Sequence, residues 1–167
     1  MIGLRRGGET PGWDCLRIAS GRRSLARFLL DGSGLRRSSQ RVGELAVQSE
    51  FSTEILRRIE ALAAISEDPD RLTRVFLSPE HRRANELGQS WMREARMATR
   101  SDAVGNIIGC YEGEVPGLPA LVLGSHLDTV RDAGKYDGML GVVTAIACVA
   151  ALHGAQRRFP FAIEVIG

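Results

Sequence analysis

Two short stretches carry residues able to do chemistry: Gly124-Ser125-His126-Leu127-Asp128-Thr129-Val130 and, close behind it, Lys135-Tyr136-Asp137-Gly138-Met139-Leu140-Gly141. A neutral imidazole and a carboxylate are donors that suit a divalent transition metal. Asp128, two residues from His126, is poorly placed to share an ion with it. It is better placed to accept the other ring N–H and fix the tautomer. Asp137 has two oxygens and could bridge two cations, and a position near a helix N-terminus suits a negative charge. Spacing alone leaves plainer readings open: a loop histidine with one backbone hydrogen bond, a turn aspartate, and a helix N-cap. His81 and His153 read as surface helix residues, and Cys110 and Cys148 as buried strand and helix residues, none of them ligands.

The elements that must position these residues are legible from periodicity. Apolar residues Ile55, Leu56, Ile59, Leu62 and Ala63 recur at helical spacing, so the pattern predicts a helix from Phe51 to Ile65, capped by Ser52 or Thr53 and stopped at Asp68-Pro69. A loop follows. Ser78-Pro79 opens a second helix as N-cap and N1, with Ala84, Leu87, Trp91 and Ala95 on its apolar face. Arg96 sits where a glycine would normally close it. Asp102 to Asn106 reads as a turn between two extended pieces, and residues 107–111 as a strand. Residues 120–124 form a continuous apolar run, the mark of a strand covered on both faces. Met139 to His153 is a helix of small apolar residues closed by Gly154, and residues 159–166 form another apolar strand, with Glu164 read as a strand residue. Strand, loop, helix, strand predicts a βαβ unit with a parallel pair. Ligands in such sheets bind at the carboxyl ends of strands, which is where His126 and Asp128 fall.

Composition narrows the classes. With 44% hydrophobic and 25% charged residues the chain is an ordinary globular one, and a net charge of +2 favours neither nucleic acid nor a membrane surface. The charge is uneven: residues 1–41 hold nine Arg against Glu9, Asp14 and Asp31, a balance of +6, which leaves −4 for the rest. The leader, residues 1–45, reads as an unstructured extension, with a transit peptide as the lesser alternative. Three cysteines without a CxxC fit a reducing, cytoplasmic setting. No apolar run approaches the length of a membrane span.

The stretch from Gly124 to Val142 resembles the first metal motif of the co-catalytic di-zinc amidohydrolases and peptidases, the aminoacylase and carboxypeptidase-like superfamily. Within it the sequence is most similar to allantoate amidohydrolase and N-carbamoyl-L-amino-acid hydrolase. Arg58-Ile59-Glu60-Ala61-Leu62, Phe76-Leu77-Ser78-Pro79, Ala84-Asn85 to Met92 and Asp102 to Asn106 agree with it, so the resemblance covers about residues 52–167. It implies an α/β fold: part of a zinc-peptidase-like catalytic domain, helices packed on a mostly parallel sheet with the βαβ unit at 120–166.

The resemblance further implies that His126 is the first ligand of one metal, Asp137 the carboxylate bridging two, and Asp128 the catalytic aspartate that orients the histidine. Two divalent ions, zinc or manganese, would polarise an amide carbonyl and lower the pKa of a bridging water. The substrate would be a small ureide such as allantoate or an N-carbamoyl amino acid, with no nucleic-acid or membrane partner, and the intact family is expected to be homodimeric. The family's general base and a further ligand form a Glu-Glu pair just beyond the strand at 160–166, and this sequence stops at Gly167. The expectation is therefore an amino-terminal fragment with weak or absent metal binding and no activity alone. An aminoacylase or dipeptidase fragment, or a non-catalytic module using its basic leader, are the alternatives. The strand at 160–166 is expected to lie at an exposed sheet edge.

Overall fold

The computed structural model describes the backbone of residues 2–4 and 39–167 and the side chains of residues 50–167. Most of the basic leader, expected to lack structure, lies outside the described residues, but its residues 2–4 form a strand and 39–45 begin a helix. Ser78 caps α2 (Pro79–Glu94), its side chain accepting the His81 N–H at 3.1 Å with Pro79 in the first turn, as the sequence predicts. The helix ends without glycine. Arg96 takes a left-handed φ of 61°, and its N–H reaches the Arg93 carbonyl at 2.9 Å. The buried face of α2 is His81, Ala84, Gly88, Trp91 and Met92. His81 is therefore not a surface residue: its Nδ1 accepts the Leu77 N–H at 3.1 Å. His153, by contrast, is exposed as expected.

The predicted first helix is longer at its start. α1 runs Ser39–Ala63, so Ser52 and Thr53 are interior rather than capping. Its buried residues Ile55, Ile59 and Leu62 form the expected stripe. α1 packs on α3 (Met139–Gly154), while α2 packs on two strands, β2 (Ala98–Ser101) and β3 (Ile107–Tyr111). The turn joining β2 and β3 is built by Asp102, whose carboxylate accepts the N–H groups of Val104 and Asn106 and the Asn106 side-chain amide. β1 (Ile2–Leu4), β4 (Leu121–Gly124) and β5 (Ile163–Ile166) complete a five-stranded sheet ordered β1-β4-β5-β3-β2.

The α/β class and the βαβ unit stand, since β4 and β5 pair in parallel across α3. The expectation of a mostly parallel sheet does not, because the other three pairings are antiparallel. Connection length accounts for one of them: β2 and β3 are joined by a tight turn that reverses the chain, whereas α3 supplies the long crossover a parallel pair needs. β5 is not an edge strand either. It lies between β4 and β3, with Leu121 opposite Ile163 on one side and Tyr111 opposite Ile163 on the other. β4 is half-buried along its length rather than enclosed. Among the described residues no helix is long and apolar enough to cross a membrane.

The core joins the sheet to the helices through Ile59, Leu62, Met92, Ile107, Val143, Ile146 and Val165, all nearly inaccessible. Among them lies a cation. Arg74 is 0% exposed, in the loop between α1 and α2. Its Nη1 donates to the carbonyls of Leu62 and Ile65 at 2.7 Å each, its Nε to the Leu127 carbonyl at 2.8 Å, and its Nη2 to Met139 Sδ at 2.8 Å. The first two carbonyls lie at the end of α1, where orphan acceptors and the negative pole of the helix favour a cation. The last turn of α1 holds no basic residue of its own. Burial pulls the Arg74 pKa below its ordinary value, and the nearby Asp128 carboxylate opposes that shift.

Arg74→Met keeps much of the side-chain bulk and removes every donor. The Leu62 carbonyl keeps the Ile65 N–H at 3.1 Å, while the other two carbonyls are left unpaired at about 1–3 kcal/mol each, so a loss of roughly 2–6 kcal/mol is expected, read as a lowered urea midpoint. An unchanged midpoint would mean that water satisfies these carbonyls equally well. His81 gives a pH test. Burial lowers its pKa from 6.5, Asp128 raises it and Arg74 lowers it, with burial the largest effect. The unfolded chain therefore takes up a proton on this ring that the folded chain resists. Its contribution to stability is complete above pH 6.5 and is lost as pH falls through the lower folded value. His81→Asn should flatten the fall in unfolding free energy as pH drops below 6.5. An unaltered slope would assign that fall to other groups.

Candidate metal centre

The segment leaving the end of β4 builds the site. The Ser125 N–H reaches the Ile166 carbonyl at 3.2 Å, extending the parallel register one residue past the strand. The chain then bends at Leu127, and its side chains turn alternately out and in. Leu127 and Thr129 point inward and are 1% and 5% exposed, while His126 and Asp128 share the outer face. The inward pair is locked. The Leu127 carbonyl takes the Arg74 Nε–H, Thr129 Oγ1 accepts the Arg74 backbone N–H at 2.8 Å, and the Thr129 N–H returns to the Arg74 carbonyl at 2.7 Å. Further along, the Asp132 N–H donates to Thr73 Oγ1 at 3.2 Å and the Ala133 N–H to the Leu72 carbonyl at 2.9 Å. Residues 72–74 thus run as a backing strip behind the loop that carries His126 and Asp128.

The loop then folds back. The Asp137 N–H donates to the Gly134 carbonyl at 3.0 Å, and the Lys135 ammonium pairs with Glu60 of α1. Gly138 is the N-cap of α3, with φ 74° and ψ −54°. The plainer reading of Asp137 as the helix cap therefore fails, because the capping position has no side chain. Gly138 also explains how the ring is seated. A Cβ built on it would lie 2.4–2.5 Å from three atoms of the His126 imidazole. Both the positive φ and the close ring approach require glycine here.

His126 Nδ1 lies 2.8 Å from the Asp128 backbone carbonyl and 3.6 Å from the Asp128 carboxylate. The tautomer-fixing contact expected of the Asp128 side chain is thus made by its main chain, and the carboxylate stands beside it. A carbonyl only accepts, so Nδ1 must carry the proton. Nε2 of the neutral ring then presents its lone pair, and it faces Asp137 Oδ1 at 3.8 Å. Two acceptors pointing at one another across that gap repel unless a proton or a cation lies between them. Metal bonds of roughly 2.0–2.2 Å to nitrogen and oxygen span 3.8 Å comfortably. The three sequence-identified residues are thus together at the carboxyl end of β4. His126 and Asp137 fit a divalent cation as donors, with side chains 48% and 61% exposed. Among the described residues no group of three or more His, Cys, Asp and Glu side chains converges as a metal cluster.

Arg74, Thr129 and Gly138 escaped the sequence reading as parts of the site. Gly138 had a signal, the Asp-Gly pair opening a helix. Arg74 had a weaker one, a lone cation amid Leu72, Val75 and Phe76.

No protein-family model matches the sequence. Among individual proteins, the N-carbamoyl-L-amino-acid amidohydrolase of Pseudomonas sp. (strain NS671) is 44% identical over 118 residues, 70% of this chain and 28% of that protein. Allantoate deiminase 1 of Glycine max is 38% identical over 131 residues, 74% of this chain and 27% of that one. Among solved structures, a hydantoinase/carbamoylase family amidase from Burkholderia ambifaria superposes with a TM-score of 0.66 at 29% identity, covering 69% of this chain and 29% of the amidase. The chain thus spans little more than a quarter of the length of the curated relatives it matches. Sequence and fold agree over the same portion, in which the chain is similar to the amidohydrolases that include N-carbamoyl-L-amino-acid amidohydrolase and allantoate deiminase.

Proposed function

We propose that this chain supplies part of the metal centre of a hydrolase that cleaves a C–N bond in a linear ureide or N-carbamoyl amino acid, the substrates named for its relatives. The observation that carries the reading is the His126 ring: Nδ1 is tied to the Asp128 carbonyl, and Nε2 is turned toward Asp137 across a gap one cation fills. His126 and Asp137 would hold the ion. Zinc or manganese, when bound, supplies a Lewis acid that polarises the scissile carbonyl and acidifies water.

The remaining roles fall to the chain itself. The Asp128 carbonyl keeps the proton on Nδ1, which leaves Nε2 as donor to the ion. The Asp128 carboxylate adds negative charge beside the ring. The Asp137 carboxylate, just ahead of α3, lies in the positive field of that helix terminus. Gly138 lets the ring lie flat against the backbone where α3 begins.

Catalytic zinc usually has three protein ligands, and the described residues offer two. The 167-residue chain is therefore expected to bind one divalent ion weakly and not to turn over allantoate or an N-carbamoyl amino acid above a metal-only control. Calorimetric titration with zinc should show binding that His126→Ala and Asp137→Asn each abolish, with the circular dichroism spectrum retained. Binding that survives both substitutions would place the ion elsewhere, and His126-dependent turnover would overturn the expectation of inactivity. Gly138→Ala should weaken zinc binding as severely as His126→Ala, because the new methyl displaces the ring. Unchanged affinity would mean that the ring position does not matter.

A further inference from the structure

A buried cation beneath a candidate cation site calls for an explanation, since like charges repel. Arg74 answers by its geometry. Its guanidinium touches both segments that carry the donors. On one side Nε holds the Leu127 carbonyl, the peptide directly after His126, at 2.8 Å. On the other side Nη2 holds Met139 Sδ, two residues after Asp137, at 2.8 Å. Nη1 anchors the group to the Leu62 and Ile65 carbonyls at the end of α1, and the Arg74 main chain pairs with Thr129 in both directions. Among the described residues no carboxylate hydrogen-bonds the guanidinium, and each of the four contacts made by its side chain goes to a neutral acceptor. An arrangement serving only to neutralise charge would place an acid there. Four neutral acceptors in three segments instead make a rigid planar fork into a spacer.

From this placement we infer that Arg74 is a positioning residue: its guanidinium sets the separation of His126 and Asp137 and the tautomer of the His126 ring. It touches neither donor side chain. It acts on His126 through Leu127, because moving that peptide moves the Asp128 carbonyl that holds Nδ1. It acts on Asp137 through Met139, the first residue of α3. Lysine could keep the charge, but its single ammonium cannot reach α1, Leu127 and Met139 together. Leucine at 139 would keep the packing and lose only the sulfur contact. The metal half of this inference rests on the function proposed above, and the tautomer half does not.

The test uses the 167-residue chain labelled with nitrogen-15. The His126 ring resonances at alkaline pH report the tautomer without any metal, and cobalt(II) titration reports affinity. Wild type is expected to show His126 protonated at Nδ1, against the Nε2-protonated form that imidazole side chains favour in water. Arg74→Lys and Met139→Leu should mix the two tautomers. Cobalt affinity should fall by about 10–100-fold in Arg74→Lys, the range for a group that orients a ligand from behind, and by less in Met139→Leu. Ile146→Ala, a core truncation on α3 away from the donors, should lose stability and change neither readout. If Arg74→Lys does not fold, the milder Met139→Leu decides the matter. A wild-type tautomer and wild-type cobalt affinity in the folded variants would overturn the inference. Failure of wild type to bind cobalt, with the tautomer shifts still present, would sink the metal reading and leave the positioning role supported.

Discussion

The structure around the site depends on one buried guanidinium. Arg74 is withdrawn from water completely, at an energetic penalty that only well-placed acceptors can offset. The chain offers them from three directions: the carbonyl end of α1, the peptide after His126 and the sulfur at the start of α3. These contacts lie at separate points of the chain, residues 62–65, 127 and 139. Without a shared donor, the end of α1 would leave carbonyls unsatisfied and the loop after β4 would have no fixed backing. The cation thus substitutes for a local helix cap and for a strand pairing at once.

Given that anchor, the site is the product of short-range rules. Burying Leu127 and Thr129 leaves His126 and Asp128 on the outer side of the loop. A backbone carbonyl two residues on then fixes the imidazole proton. Glycine at 138 removes the methyl that would fill the ring's place, and α3 begins there with its positive pole toward Asp137. The 3.8 Å between Nε2 and Oδ1 results from these constraints.

The sequence made some of this legible and hid the rest for physical reasons. The motif from Gly124 to Val142 pointed to His126, Asp128 and Asp137, and the fold brings these three together, because such chemistry restricts residue type and spacing. The Ser78-Pro79 start and the Asp102 turn were legible because caps and turns are local. Sheet order was not. That β5 would insert between β4 and β3 depends on pairing between residues far apart in the chain, and periodicity carries no information about neighbours. The extent of α1 back to Ser39 was hidden because Gly43 and several polar residues blur its apolar stripe. Arg74 was hidden for the opposite reason: a charged residue in a loop ordinarily faces water, and only the fold reveals that this one does not. His81 misled in the same way: it is buried, with its Nδ1 accepting the Leu77 N–H.

The central claim is that His126 and Asp137 are donors to one ion. Crystals of the chain soaked in zinc and measured at the zinc absorption edge test it most directly. An anomalous peak is expected between His126 Nε2 and Asp137 Oδ1, within metal-bond reach of both. A zinc-soaked crystal whose His126 and Asp137 still face each other with no peak between them, or whose peak lies at other residues, would contradict it.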